Sequence, residues 1–264
     1  MSETTHIRGV DLAWERSGAG TTLVWAHGLN SCRADEDRLG LIDWAEVAKS
    51  GQVFRYDARG HGESGFTTEA EAYSWDQMAL DQLELTASAG VDSYIAGGAS
   101  LGAATTLHAA VADPARIEKL LLVIPPTGWE TRDAQTETYE QMAQILERKG
   151  VGPLLIGAQE LPVPDPLIGL DEWAEHRLSG LRDADPVRMA GLFRGAATAN
   201  LPNRDLVRLI DSETLILAWS GDPVHPVSSA EELGDLLPNC TVKIATTWAQ
   251  LQSWTQEAVA FIRA

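Results

Sequence analysis

Cysteine is nearly absent. Cys32 and Cys240 are the only two in 264 residues. That excludes a disulfide framework and leads us to expect a reducing compartment. Basic residues are also scarce: 20 Lys and Arg stand against 38 Asp and Glu, a formal net charge of −18. So acidic a surface argues against nucleic acid or an anionic membrane as partner and favours solubility. The start, Met1-Ser2-Glu3-Thr4-Thr5-His6, lacks the basic end and apolar core of a signal peptide. No apolar run approaches a membrane span. The expectation is a cytoplasmic protein whose partner is a small-molecule substrate. Metal-ligand spacings are missing, with no His-Glu-x-x-His and no Cys-x-x-Cys. The segments Gly60-x-Gly62 and Gly97-Gly98 lack a Walker lysine and the full dinucleotide fingerprint. No metal, nucleotide or other cofactor is expected. Internal repeats and low-complexity tracts are absent as well.

What is present is enough apolar residue, 44%, for one large core. Ile7 to Glu15 alternates apolar and polar residues and reads as an edge strand or hairpin closed at Ser17–Gly20. Thr22–Ala26 is a short, continuously apolar run, as expected of a strand covered on both faces. Asp35, Glu36 and Asp37 precede a helical pattern through Leu41, Trp44 and Val47. Val53–Tyr56 is the next strand. Ser74 is placed to cap a helix through Met78 and Leu85. Strands over 94–96 and 117–124 follow. After Pro125-Pro126 the strand signal stops until about Pro202. Helical patterns lie at 137–149, 172–178 and 186–197. Strands resume at Thr214–Trp219 and Thr241–Ala245, with helices over 228–237 and 253–263. The alternation predicts an α/β fold: a mostly parallel sheet with helices on both faces and a helical lid insertion. We expect a core of residues 1–125 and 203–264 and a lid of residues 126–202.

The sharpest stretch is Gly98-Ala99-Ser100-Leu101-Gly102, between an apolar strand and the helical run that begins at Ala103. A serine at a strand-to-helix turn is held in a strained backbone with its hydroxyl over the sheet edge. The following helix turns its N-terminal amides toward it. Three other loops follow strands: His27-Gly28, Asp57 to Gly65, and Gly221-Asp222-Pro223. Ligands in such sheets sit at the carboxyl ends of the strands.

This set of loops resembles the α/β-hydrolase family, and the resemblance covers nearly the whole chain. It implies Ser100 as nucleophile, Asp222 as the acid, and the backbone N–H groups of Leu29 and Leu101 as the oxyanion hole. Ser100 stands where haloalkane dehalogenases and epoxide hydrolases of this fold carry an aspartate, which excludes both. The family's base is a histidine after the last strand. Here that loop, Ala245 to Trp254, has none, and Trp248 stands about where it would be. An indole N–H donates only and cannot accept the Ser100 proton. Of the other histidines, His27 and His61 read as structural, and His108 as packed or at the surface. His225, three residues from Asp222, is a minor candidate to reach the site, but His225-Pro226 reads as scaffold; His176 lies in the lid, and His6 at a frayed end.

Three explanations stay open: a serine hydrolase whose base Trp248 replaced, a non-catalytic small-ligand binder on the same scaffold, or chemistry that needs no histidine. The function expected is hydrolysis of a small, largely apolar ester or related carbonyl compound, with the non-catalytic binder as alternative. Trp129 and the lid residue Trp173 are candidates to shape the acyl pocket. Asp57 and Arg59 read as loop-fixing, Cys32 as packed, and Asp165 and Asp171 as solvated.

Overall fold

The computed structural model describes residues 2–170, 178, 180–182 and 184–264. Strands β1 (Glu3–Ile7) and β2 (Val10–Gly18) form a hairpin. Its two-residue turn is Arg8-Gly9, at φ 45° and 88°, the left-handed pair such tight hairpins require. The sequence puts the closing turn ten residues later because Ser17–Gly20 carries the denser turn chemistry; β2 runs straight into it.

The chain continues through β3 (Thr22–Ala26), α1 (Arg33–Leu39), α2 (Trp44–Val47) and β4 (Gln52–Tyr56). Next come α3 (Trp75–Ser88), β5 (Tyr94–Ala99), α4 (Leu101–Ala112) and β6 (Ile117–Val123). Helices α5 (Asp133–Lys149), α6 (Gly152–Glu160), α7 (Pro186–Thr198) and α8 (Arg204–Val207) follow. The chain closes with β7 (Glu213–Trp219), α9 (Val227–Leu236), β8 (Cys240–Ala245), α10 (Trp248–Gln252) and α11 (Trp254–Arg263).

The eight strands lie in the order β1-β2-β4-β3-β5-β6-β7-β8. Pairing is antiparallel up to β4 and parallel from there on. Alternate residues of each central strand face opposite layers. Val24, Phe54, Ala96, Leu122 and Ile216 pack with α3, α4 and α9. Leu23, Val53, Ile95, Leu121 and Leu217 pack with α2 and α11. Burial on both faces explains why these strands read as continuous apolar runs. The parallel strands end at one rim, which brings the His27, Asp57, Ser100 and Asp222 loops together.

Between Pro126 and Pro202 the described residues form α5, α6, α7 and two 3-10 turns, at Trp129–Arg132 and Asp165–Leu167, without a strand. A small separate core of Ala143, Leu146, Met189, Ala190 and Phe193 joins α5 to α7. Buried Arg132 donates from Nε to the Ala199 carbonyl (3.0 Å) and from Nη2 to that of Ala196. This ties the two ends of the helical segment. The expected helix over 172–178 lies outside the described residues except Leu178, which is helical. Among the described residues no helix is long and apolar enough to cross a membrane.

Two local expectations change. The helix expected through Leu41 and Val47 is two short helices, because Gly40 turns left-handed (φ 64°) and caps α1. Ser74 occupies the N-cap of α3, but its hydroxyl donates to the Glu71 carbonyl at 3.0 Å instead of capping.

Candidate active site

Ser100 stands between β5 and α4 at φ 53°, ψ −113°, a strained setting for a residue with a Cβ. Its surroundings hold it there. The Ser100 N–H donates to the Val123 carbonyl on β6 at 3.0 Å, and its carbonyl accepts the first bond of α4 from Ala104 at 3.1 Å. The turn is tight enough that a Cβ on Gly98 would strike the Gly102 backbone. One on Gly102 would strike the Ala26 carbonyl. Both positions therefore need glycine. Leu101 opens α4 ahead of that helix's first bond, so its amide is free by position to receive an anion.

The loop after β3 passes directly beside Ser100. A Cβ placed on Gly28 would lie 3.6 Å from the Ser100 Cβ. His27 fixes this loop from below. Its Nε2 accepts the Ala58 N–H at 2.9 Å, so its Nδ1 carries the proton and donates to the Gly28 carbonyl at 2.8 Å. That carbonyl belongs to the peptide whose N–H is that of Leu29. Burial lowers the His27 pKa, against the pull of Asp57, which keeps the ring neutral in this role. His61 packs edge-on against His27, with ring centroids 4.8 Å apart, and donates from Nδ1 to the Arg59 carbonyl. Burial, aided by His27, pushes its pKa down to about 3. Neither imidazole serves Ser100.

The imidazole that reaches Ser100 is His225. Its Nε2 lies 2.7 Å from the Ser100 Oγ, and its Nδ1 2.8 Å from Asp222 Oδ2. With the carboxylate accepting the hydrogen bond from Nδ1–H, Nε2 is left as acceptor for the serine hydroxyl. The short loop after β7 makes this possible. Asp222 Oδ1 accepts the backbone N–H groups of Val224 (2.8 Å) and His225 (3.3 Å). This turn on the aspartate's own side chain folds the residue three positions on back beside the carboxylate. Pro226 then forms the N-cap of α9. Burial works against the Asp222 charge. The bonds from His225, Val224 and the Trp219 indole outweigh it and hold the pKa at about 2.

The expectation that Trp248 takes the base's place is therefore corrected. Trp248 is the first residue of α10 and is 41% exposed, while an imidazole is within hydrogen-bond reach of Ser100. The reading of His225-Pro226 as scaffold is corrected with it. The spacing that carries it, a histidine three residues beyond Asp222, is visible in the sequence, where the following proline favoured the scaffold reading.

The other candidates separate clearly. The Trp129 N–H donates to Asn200 Oδ1 (2.6 Å) and its indole to the Pro202 carbonyl (3.0 Å), with the Arg204 guanidinium 4.4 Å over the ring. These contacts tie the start of the helical segment to its end at Asn200–Arg204. Trp173, His176 and Asp171 lie outside the described residues. His108 meets the Asn200 carbonyl at 2.8 Å, and His6 pairs with Asp11 at the surface. Asp57 accepts the backbone N–H groups of Arg33 and Glu63, and buried Arg59 forks onto Asp81 at 2.8 Å. Both anchor the loop. Cys32 sits at the head of α1 with its thiol 3.2 Å from Asp35 Oδ2, and burial pushes its pKa to about 12. It is not a thiolate nucleophile. Asp165 is exposed.

Comparison with known proteins bears on the family and the fold. The profile of the Alpha/beta hydrolase family matches residues 23–259. RutD of Escherichia coli strain IAI39, provisionally named a carbamate hydrolase, is 34% identical over 207 residues, covering 75% of this chain and 74% of its own. Among solved structures, a hydrolase from Pseudomonas aeruginosa superposes with a TM-score of 0.85 at 22% identity, over 100% of this chain and 98% of its own. A thermophilic esterase from Thermogutta terrifontis gives a TM-score of 0.83 at 20% identity, over 100% and 97%. An enol-lactonase from Burkholderia xenovorans gives 0.80 at 18%, over 99% and 97%.

Proposed function

The chain belongs to the alpha/beta hydrolase family, and on that premise we propose that it hydrolyses a small, largely apolar ester or related carbonyl compound through Ser100, His225 and Asp222. The observation that carries this reading is the Ser100 Oγ–His225 Nε2–Asp222 relay at 2.7 and 2.8 Å. Ser100 Oγ attacks the carbonyl carbon as His225 Nε2 takes its proton. Asp222 holds the ring in the Nδ1–H tautomer and stabilises the imidazolium. Charge gathers on the carbonyl oxygen, and the Leu29 and Leu101 amides receive it. One such donor is worth about 2.7–4 kcal/mol of barrier. The imidazolium then protonates the leaving group. Water attacks the acyl-enzyme, giving its proton to Nε2, and Ser100 is released.

The helical segment from Pro126 to Pro202 acts as the lid over this centre. Asp165, in its second 3-10 turn, donates its N–H to the Ser220 carbonyl at 2.9 Å, so the lid rests on the loop that carries acid and base. The alternative of a non-catalytic binder rested on a missing base, and His225 within reach of Ser100 favours the hydrolase over it. Relatives named as carbamate hydrolase, esterase and lactonase define the panel to test: an aryl acetate, an aliphatic lactone and an alkyl carbamate. Turnover of at least one, abolished in Ser100→Ala, is expected. No turnover of any, with reversible tight binding of one, would return the protein to the binder class.

A further inference from the structure

Trp219 ends β7, is 4% exposed, and stacks on Trp254 of α11 with centroids 5.8 Å apart and planes 22° from parallel. Its indole N–H points to the site. It donates to Asp222 Oδ2 at 2.9 Å, the same oxygen that accepts the His225 Nδ1–H at 2.8 Å. The other oxygen is taken by the backbone N–H groups of Val224 and His225. All four principal acceptor positions of the carboxylate are thus engaged, and it cannot turn without losing a charge-assisted bond.

We infer that Trp219 is a positioning residue for the hydrolytic reaction: its indole N–H locks the orientation of Asp222, and through Asp222 that of the His225 base. The inference rests on the Ser100–His225–Asp222 reading above. The stacking on Trp254 uses the ring faces and does not require the nitrogen. What the nitrogen adds is a second fixed direction on the oxygen that holds the base. Lock, acid and base are spaced three residues apart, at 219, 222 and 225, from the last residue of β7 into the loop that follows it. The orientation of the base against the acid is therefore set by the end of β7 and the loop that follows it.

The test compares kcat and KM for p-nitrophenyl acetate in Trp219→Phe, in Asp222→Asn and in the double variant, with His225→Ala as control. We expect Trp219→Phe to lower kcat by about tenfold, the worth of one hydrogen bond to a charged group, with KM unchanged. In the Asp222→Asn background the same substitution should change kcat less than twofold, because the bond it removes is already altered. An equal fall in both backgrounds, or no fall in either, overturns the inference. Should Trp219→Phe fail to fold, a benzothienyl-alanine at 219, isosteric with tryptophan but without the N–H, gives the same comparison. Undiminished turnover in His225→Ala would instead bring down the triad reading itself, which separates the two failures.

Discussion

At Asp222, burial opposes the charge and four donors support it. With the pKa held at about 2 against an ordinary 3.8, the carboxylate contributes about 2 kcal/mol to stability. Because the folded value is the lower one, that contribution is complete above the ordinary pKa. It is lost as pH falls through about 2. Urea unfolding of wild type and Asp222→Asn should therefore differ by about this amount at pH 5 and converge toward pH 2. A constant difference would deny the charge its role. Trp248 offers the complementary test. With His225 already on Ser100, Trp248→His should leave kcat for an aryl ester within about twofold of wild type. A rise by orders of magnitude would restore the position after β8 as the seat of the base. Ser100 and Asp222, the proposed nucleophile and acid, were legible in the sequence because each follows a strand run within its own loop. His225 as the proposed base was not, because its reach depends on how the Asp222 side chain turns its own backbone, which no periodicity records.

Among the elements, the β5–Ser100–α4 unit is the most tightly determined. Its strand, glycines and helix could be read directly, since a run of small residues between two apolar patterns allows the close passage of β3 past α4. Gly102→Ala would push a methyl into the Ala26 carbonyl. We expect it to cost about 1–3 kcal/mol or more in urea unfolding, the range of an overpacked core. A neutral effect would mean that β3 and α4 are less close than described. The short helices were harder to read. Gly40 splits α1 from α2 by a left-handed cap, and the Thr247–Gln250 capping box starts α10 in a stretch that reads as loop. Both depend on cap geometry rather than on apolar spacing. Helix α6 escaped notice because none of its residues is buried, so tertiary packing imposes no one-sided pattern on it.

For the molecule as a whole, the sharing of one rim by four loops follows from parallel strands alternating with helices, and so the place of the candidate site was legible, while the order of the strands was not. The surplus of 18 negative charges repels itself at low ionic strength. Raising NaCl from 10 to 300 mM should lift Tm by about 2–4 °C, equivalent to about 1 kcal/mol at this size. A fall would mean that surface ion pairs outweigh the repulsion. The central claim is that one imidazole, His225, activates Ser100, and covalent labelling of the intact protein tests it most directly. Treated with a p-nitrophenyl phosphonate, the wild-type chain should gain one phosphonyl adduct, mapped to Ser100. In His225→Ala the rate should fall by about 10³-fold or more. Equal labelling rates in the two proteins would contradict the account.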